Sequence, residues 1–189
     1  MKNLLLLTAA VILAACASHG PGEPWEEEEA PLIPVAHLDL DRYLGTWYMI
    51  ANIPYFAEAG NVAVHVNYSK RDDGLIADKY TARDAFDKPE FTKNGVIEVT
   101  NPDNNAEGRI SFLGPLWQDY AVVYMDKDYQ NTVVAHPTRN YAWVFSREPR
   151  MAEDQYEAAI AALKKNGFDV TRVQKVPQKP EDLGQPGFQ

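Results

Sequence analysis

The chain has 189 residues, 46% hydrophobic and 11% aromatic, enough for one globular domain with a sizeable core. Its 27 Asp+Glu against 18 Lys+Arg leave a formal net charge of −9, which repels phosphates. With no basic, aromatic-interleaved stretch, nucleic acid is excluded as a partner class, and stable membrane attachment must come from an apolar anchor rather than from charge. A single cysteine, Cys16, excludes an internal disulfide and a Cys-rich zinc site, so the fold rests on packing and sheet hydrogen bonds.

Lys2 gives the start a positive charge, and residues 4–15 are apolar except for Thr8. That run is shorter than the ~20 residues a membrane span needs, but it suits the core of a secretory signal. It ends Leu13-Ala14-Ala15-Cys16, which resembles the bacterial lipobox: small residues let the chain enter a peptidase extended, and the thiol accepts a diacylglyceryl group. Residues 1–15 therefore read as a lipoprotein signal peptide and Cys16 as the lipidation site that fastens the chain to a membrane. More than one acyl chain there makes attachment effectively stable, at about 0.8 kcal/mol per buried methylene. Lipoproteins retained at the inner membrane usually carry Asp after the cysteine; Ala17 stands there instead. The resemblance thus implies a lipid-anchored protein of the cell outer membrane, facing the periplasm. In residues 16–37, Pro21, Pro24, Pro31 and Pro34 disfavour helix and strand, and Glu26 to Glu29 repel one another, which predicts a flexible tether.

From Tyr43 onward, two-residue periodicity and turn signals alternate. The pattern predicts strands over 45–54, 62–70, 75–83, 90–101, 108–113, 119–126, 131–136 and 140–147. Arg71-Asp72-Asp73-Gly74 and Asn101-Pro102-Asp103-Asn104-Asn105 form turns between them. Eight short strands with short loops and no long crossover favour an all-β meander, closing as an antiparallel up-and-down barrel. Over 152–166, Tyr156, Ala159, Ile160 and Leu163 form one apolar stripe. Acids in the first turn and lysines in the last match the helix dipole, and Gly167 ends the segment. This predicts one C-terminal helix packed outside the barrel, followed by a short closing strand over 168–173. The proline- and glycine-rich residues 177–189 predict a disordered tail.

Three motifs in order resemble those of the lipocalin family. Gly45-Thr46-Trp47 resembles its first motif. Asp126-Lys127-Asp128-Tyr129 resembles its second, with Lys127 in place of the usual threonine. Phe145-Ser146-Arg147 resembles its third, a strand ending in arginine. Arg71-Asp72-Asp73-Gly74, Ser111-Phe112-Leu113-Gly114-Pro115 and Gly167-Phe168-Asp169-Val170 resemble the bacterial outer-membrane lipoprotein branch. The likeness spans 38–176. It implies that Trp47 sits at the closed end of the barrel with Arg147 packed across it by cation–π attraction, and that Gly45, Asp128 and Tyr129 are structural with them. It also implies a calyx that holds a fatty acid, lysophospholipid or similar hydrophobic ligand, for storage, transport or membrane maintenance.

Alternation then nominates the wall. If Trp47 faces inward, so do Met49, Ala51 and Ile53; if Arg147 does, so do Phe145, Trp143 and Tyr141. The same rule gives Tyr120, Val122 and Tyr124, with Val64, Val66, Ile110 and Phe112 from the apolar faces and Thr132, Val134 and His136 on the seventh strand. Each of these either lines a cavity or fills a solid core, since small barrels do both. A filled barrel would instead be a structural or interaction lipoprotein. Outward Tyr48 and Ile50, or the external helix, would then supply a patch for a partner or a homodimer. The sequence has no G-x-S-x-G, H-E-x-x-H or P-loop, its cysteine is the anchor, and His19, His37, His65 and His136 are scattered. A binding protein without cofactor or metal is expected, rather than a lipocalin-fold enzyme.

Overall fold

The computed structural model describes residues 30–189. The signal segment, Cys16 and the tether up to residue 29 lie outside the described residues. The order is α1 (Leu40–Tyr43), β1 (Gly45–Ile53), β2 (Val62–Lys70), β3 (Ile76–Arg83), β4 (Phe91–Val99), β5 (Glu107–Leu113), β6 (Leu116–Met125), β7 (Asn131–Ala135), β8 (Ala142–Ser146), α2 (Glu153–Lys165) and β9 (Gln174–Lys175). Each of the eight main strands pairs antiparallel with the next, and β1 pairs with both β8 and β2, which closes the barrel. β9 adds to β1 from outside.

Closure separates two cores. Inside the barrel, Trp47, Met49, Val64, Val66, Tyr68, Tyr80, Val122 and Phe145 pack together. Outside, the apolar stripe of α2 lies on β6 and β7, where Ala159 and Leu163 bury against Ala121, Val123, Val133 and Val144. The helix ends where Gly167, at φ +82°, turns the chain so that Phe168 N–H reaches the Leu163 carbonyl.

β-Bulges change which residues face inward. Met49 is opposite Phe145 and Ala51 opposite Val144, with the register shifted between them. Ile50, Ala51 and Ile53 therefore join the outer core, contrary to the simple alternation that sends Ala51 and Ile53 inward. Of the residues expected to offer a partner patch, Ile50 is buried there, while Tyr48 and the helix residues Tyr156 and Ile160 are half-buried against the same core. A second bulge in β6, between Val122 and Tyr124, turns Tyr124 outward.

Three further expectations are corrected. Residues 168–173 form no strand: Asp169 caps a 3-10 turn at Val170–Arg172 by accepting from Thr171 N–H, and the edge strand comes two residues later. Of the expected tether, residues 30–37 lie along the barrel: Ile33 N–H donates to Asn166 Oδ1 (2.7 Å), Val35 N–H donates to Val122 O (2.9 Å), and Arg139 donates to Ala30 O. Their apolar side chains explain it, since Leu32 and Val35 pack on the two cores.

The tail 177–189 is folded. β1 and β2 part beyond the Tyr48–His65 pair, leaving carbonyls without ladder partners. The Gln178 amide donates to Met49 O (2.7 Å) and Val64 O (3.1 Å), and Ala63 N–H donates to Pro177 O (2.8 Å). Asp182 accepts from the N–H groups of Gln178 and Lys179. Gln189 returns to Asn61 O. Composition suggested disorder, but specific side-chain hydrogen bonds fasten the segment into the seam.

Candidate functional site

The closed end of the barrel is a saturated plug. Asp39 caps α1 by accepting from Asp41 and Arg42 N–H, and the short helix sets Tyr43 under the barrel. Trp47 Nε1–H donates to Tyr43 O at 2.8 Å. The Arg147 guanidinium stands 3.6 Å from the Trp47 ring centroid. It donates to Thr46 O (2.7 Å), Arg42 O (2.7 Å), Leu44 O (2.9 Å) and Tyr43 O (3.1 Å), and its Nε reaches Tyr129 O at 3.4 Å. Gly45 is required here: its φ is +98°, and a Cβ would come within 3.3 Å of Arg147 Nη1. Tyr129 completes the plug, accepting from Asp39 N–H at 2.8 Å under the Arg42 guanidinium. Asp128 does not contribute: it is solvent-facing and pairs with Lys127. The turn is organised by Asp126, which accepts from the N–H of Asp128 and Gln130 and from Asn131 Nδ2.

Above the plug the barrel is open, enclosing a cavity of about 600 Å³. Of the nominated wall residues, Met49, Val66, Ile110, Phe112, Tyr120, Val134, His136, Trp143 and Phe145 line it. Val64, Val122 and Thr132 face inward but are enclosed in the packed interior; the Thr132 hydroxyl donates to Tyr124 O. Tyr124 is on the outer face because of the β6 bulge. Tyr141 stands at the rim with its ring against Tyr55 and His136.

Alternation missed the polar part of the wall. Asp78 and Tyr80 enter from β3 on the same face as Ile76 and Ala82. That period-2 pattern, with an acid in an apolar phase, was the available signal. Glu58 comes from the loop after β1, where no periodicity could place it. Trp143 Nε1–H donates to Glu58 Oε2 at 2.8 Å. Burial pushes the Glu58 carboxyl above its ordinary range, against the Trp143 hydrogen bond and the nearby Lys93 charge. Asp78 is pushed up to about 8, first by burial and then by Glu58. Burial likewise raises Tyr80 and Tyr120 and lowers His136, whose Nδ1 accepts from Thr138 N–H. Lys93 stands near the mouth, its ammonium by the Ala57 carbonyl and over the Phe91 and Tyr80 rings. Around the rim Phe56, Leu113 and Leu116 are 80%, 73% and 67% exposed.

This arrangement can hold an elongated apolar molecule with a polar end near Lys93. The Lipocalin-like domain family matches residues 38–178. The chain is 32% identical over 176 residues to the outer membrane lipoprotein Blc of Citrobacter freundii, covering 91% of this chain and 93% of the relative. It is 33% identical over 169 residues to that of Escherichia coli (strain K12), covering 87% and 89%. Among solved structures, insecticyanin from the tobacco hornworm Manduca sexta superposes with a TM-score of 0.62 at 17% identity, over 80% of this chain and 87% of that one. A closed eight-stranded barrel, a Trp–Arg plug and a match across the whole domain make this chain a member of the lipocalin family, in its bacterial branch.

Proposed function

We propose that the protein is an outer-membrane lipoprotein, anchored through Cys16 and facing the periplasm, whose calyx holds the acyl chain of a fatty acid or lysophospholipid for storage, transport or membrane maintenance. The observation that carries this reading is the open cavity of about 600 Å³ with mainly apolar walls and a lysine near its mouth. A solid barrel would have favoured a purely structural lipoprotein. Burying a dozen methylenes contributes about 10 kcal/mol gross. Lost translational and rotational freedom brings this to about −8 kcal/mol net, a micromolar affinity suited to a reversible carrier. Lys93 suits the carboxylate or phosphate of such a ligand, and the exposed Phe56, Leu113 and Leu116 at the rim offer an acyl chain an apolar path from a bilayer. The relatives named as outer membrane lipoproteins support the location.

Native mass spectrometry of the purified protein, with lipid extraction, tests the reading. Fluorescence titration with fatty acids and lysophospholipids runs beside it, using Trp143 in the calyx wall as the reporter. One lipid per barrel and saturable micromolar binding are expected. Absence of both would remove the carrier reading.

A further inference from the structure

We propose that Asp78 forms a hydrogen-bonding subsite in the closed half of the calyx that takes a hydroxyl carried on the buried end of the ligand. The inference rests on the reading of the cavity as a lipid site and names the ligand more closely: a long-chain amphiphile with an acidic head group and a hydroxyl toward the far end of its chain.

The position follows from register. Asp78 is opposite Tyr68, and Tyr68 is opposite Gly45 at the start of β1, where the plug begins. The Tyr68 ring stacks on Tyr43 of the plug helix at 5.4 Å. On the other flank Asp78 is opposite Gly95, and the space above that glycine is taken by the Phe112 ring, 2.8 Å from where a Cβ would stand. Asp78 is thus flanked by a tyrosine ring stacked on the plug and by a hydrocarbon ring. It is 3% exposed, lines the cavity, and its Oδ1 has no hydrogen-bond partner among the described residues. Buried polar oxygens are nearly always paired, so an orphan facing a cavity is a place for a donor that arrives with the ligand.

The chemistry selects which donor. With its pKa near 8, Asp78 is mainly a neutral acid at neutral pH, offering one O–H and an acceptor oxygen. A hydroxyl satisfies both at once, accepting from the acid and donating to Oδ1. A methyl end satisfies neither. A carboxylate or phosphate would meet the Asp78 carboxyl while leaving Lys93 behind near the mouth, so an acidic head group stays outside. An ammonium would lose its water to meet an acid that is largely protonated.

Titration of the purified, delipidated protein with dodecanoic and hexadecanoic acids and their ω-hydroxy and ω-amino counterparts tests this, read by tryptophan fluorescence. For at least one chain length the ω-hydroxy acid is expected to bind about tenfold tighter than the plain acid, the worth of one added hydrogen bond. Asp78→Asn keeps a donor and an acceptor and should retain most of that preference. Asp78→Leu should abolish it while the plain acids gain. Equal affinity of plain and hydroxylated acids at both lengths, or a preference that survives in Asp78→Leu, overturns the subsite but leaves the lipid calyx standing. Tightest binding of the ω-amino acids overturns the hydroxyl in favour of an ammonium. Failure of every probe to bind saturably overturns the lipid calyx itself, and the subsite with it.

Discussion

The two ends of the barrel are built on opposite terms. At the closed end the Arg147 guanidinium and Trp47 indole are spent on carbonyls of the plug, and Tyr129 is tied to Asp39. In the calyx, Asp78 has an oxygen without a partner among the described residues, Glu58 accepts from one indole, and both acids are pushed up by burial. Saturation at one end stabilises the fold, while the unsaturated groups at the other are retained against stability, as is common where a molecule must be received.

The largest expected effect separates the ends by pH. Asp78 has a folded pKa of about 8, against about 3.9 in an unfolded chain. Between those values the unfolded state has released its proton and the folded state has kept it. Stability from this group is therefore full below about pH 4 and falls as pH rises, levelling above about pH 8. The loss is at most about 6 kcal/mol, less where water in the cavity solvates the carboxylate. Asp78→Asn should flatten this slope, so that denaturant midpoints of variant and parent converge toward pH 4 and separate toward pH 8 with the variant the more stable. Parallel pH profiles would mean that Asp78 titrates normally, and that the two ends differ less in how their polar groups are satisfied.

Arg147→Ala comes next. It strips donors from the carbonyls of Arg42, Tyr43, Leu44 and Thr46 and removes the cation from Trp47, for an expected loss of about 3–5 kcal/mol. Ligand affinity of the protein that remains folded should be unchanged. Loss of affinity at an unchanged melting temperature would show that the closed end serves the ligand after all.

How legible each end was follows from the same contrast. The plug could be read because its residues lie in short local motifs, and the strands because alternation persists for several residues on each. The wall was legible only while that phase ran unbroken. Trp143 and Val134 were placed by it, whereas Tyr124, Ala51 and Ile53 were misplaced because one extra residue in β6 and one in β1 reverse the facing. Glu58 acts from a loop with no period. The tail was misread because composition reports average polarity, and what orders it is one glutamine reaching two particular carbonyls.

That glutamine sits on the seam between the regions and gives a smaller test. Gln178→Ala leaves Met49 O and Val64 O without their donor, an expected cost of about 1–3 kcal/mol. Hydrogen exchange should quicken at Ala63 and Val176, whose amides the docked segment protects. Unchanged exchange there would show that the tail lies on the seam without securing it.

The smallest effect probes the calyx alone. Trp143→Phe keeps an aromatic ring on the wall but removes the donor to Glu58 Oε2. The expected stability change is about 0.5–1.5 kcal/mol. The informative quantity is the Glu58 titration followed by carboxyl NMR. The indole hydrogen bond favours the charged carboxylate, so its loss should move the midpoint further up, and the loop carrying Glu58 should exchange faster. A midpoint that stays put would mean that burial and Lys93 set this acid between them, and that the rim is held by its tyrosine and histidine rings rather than by the bond across the mouth.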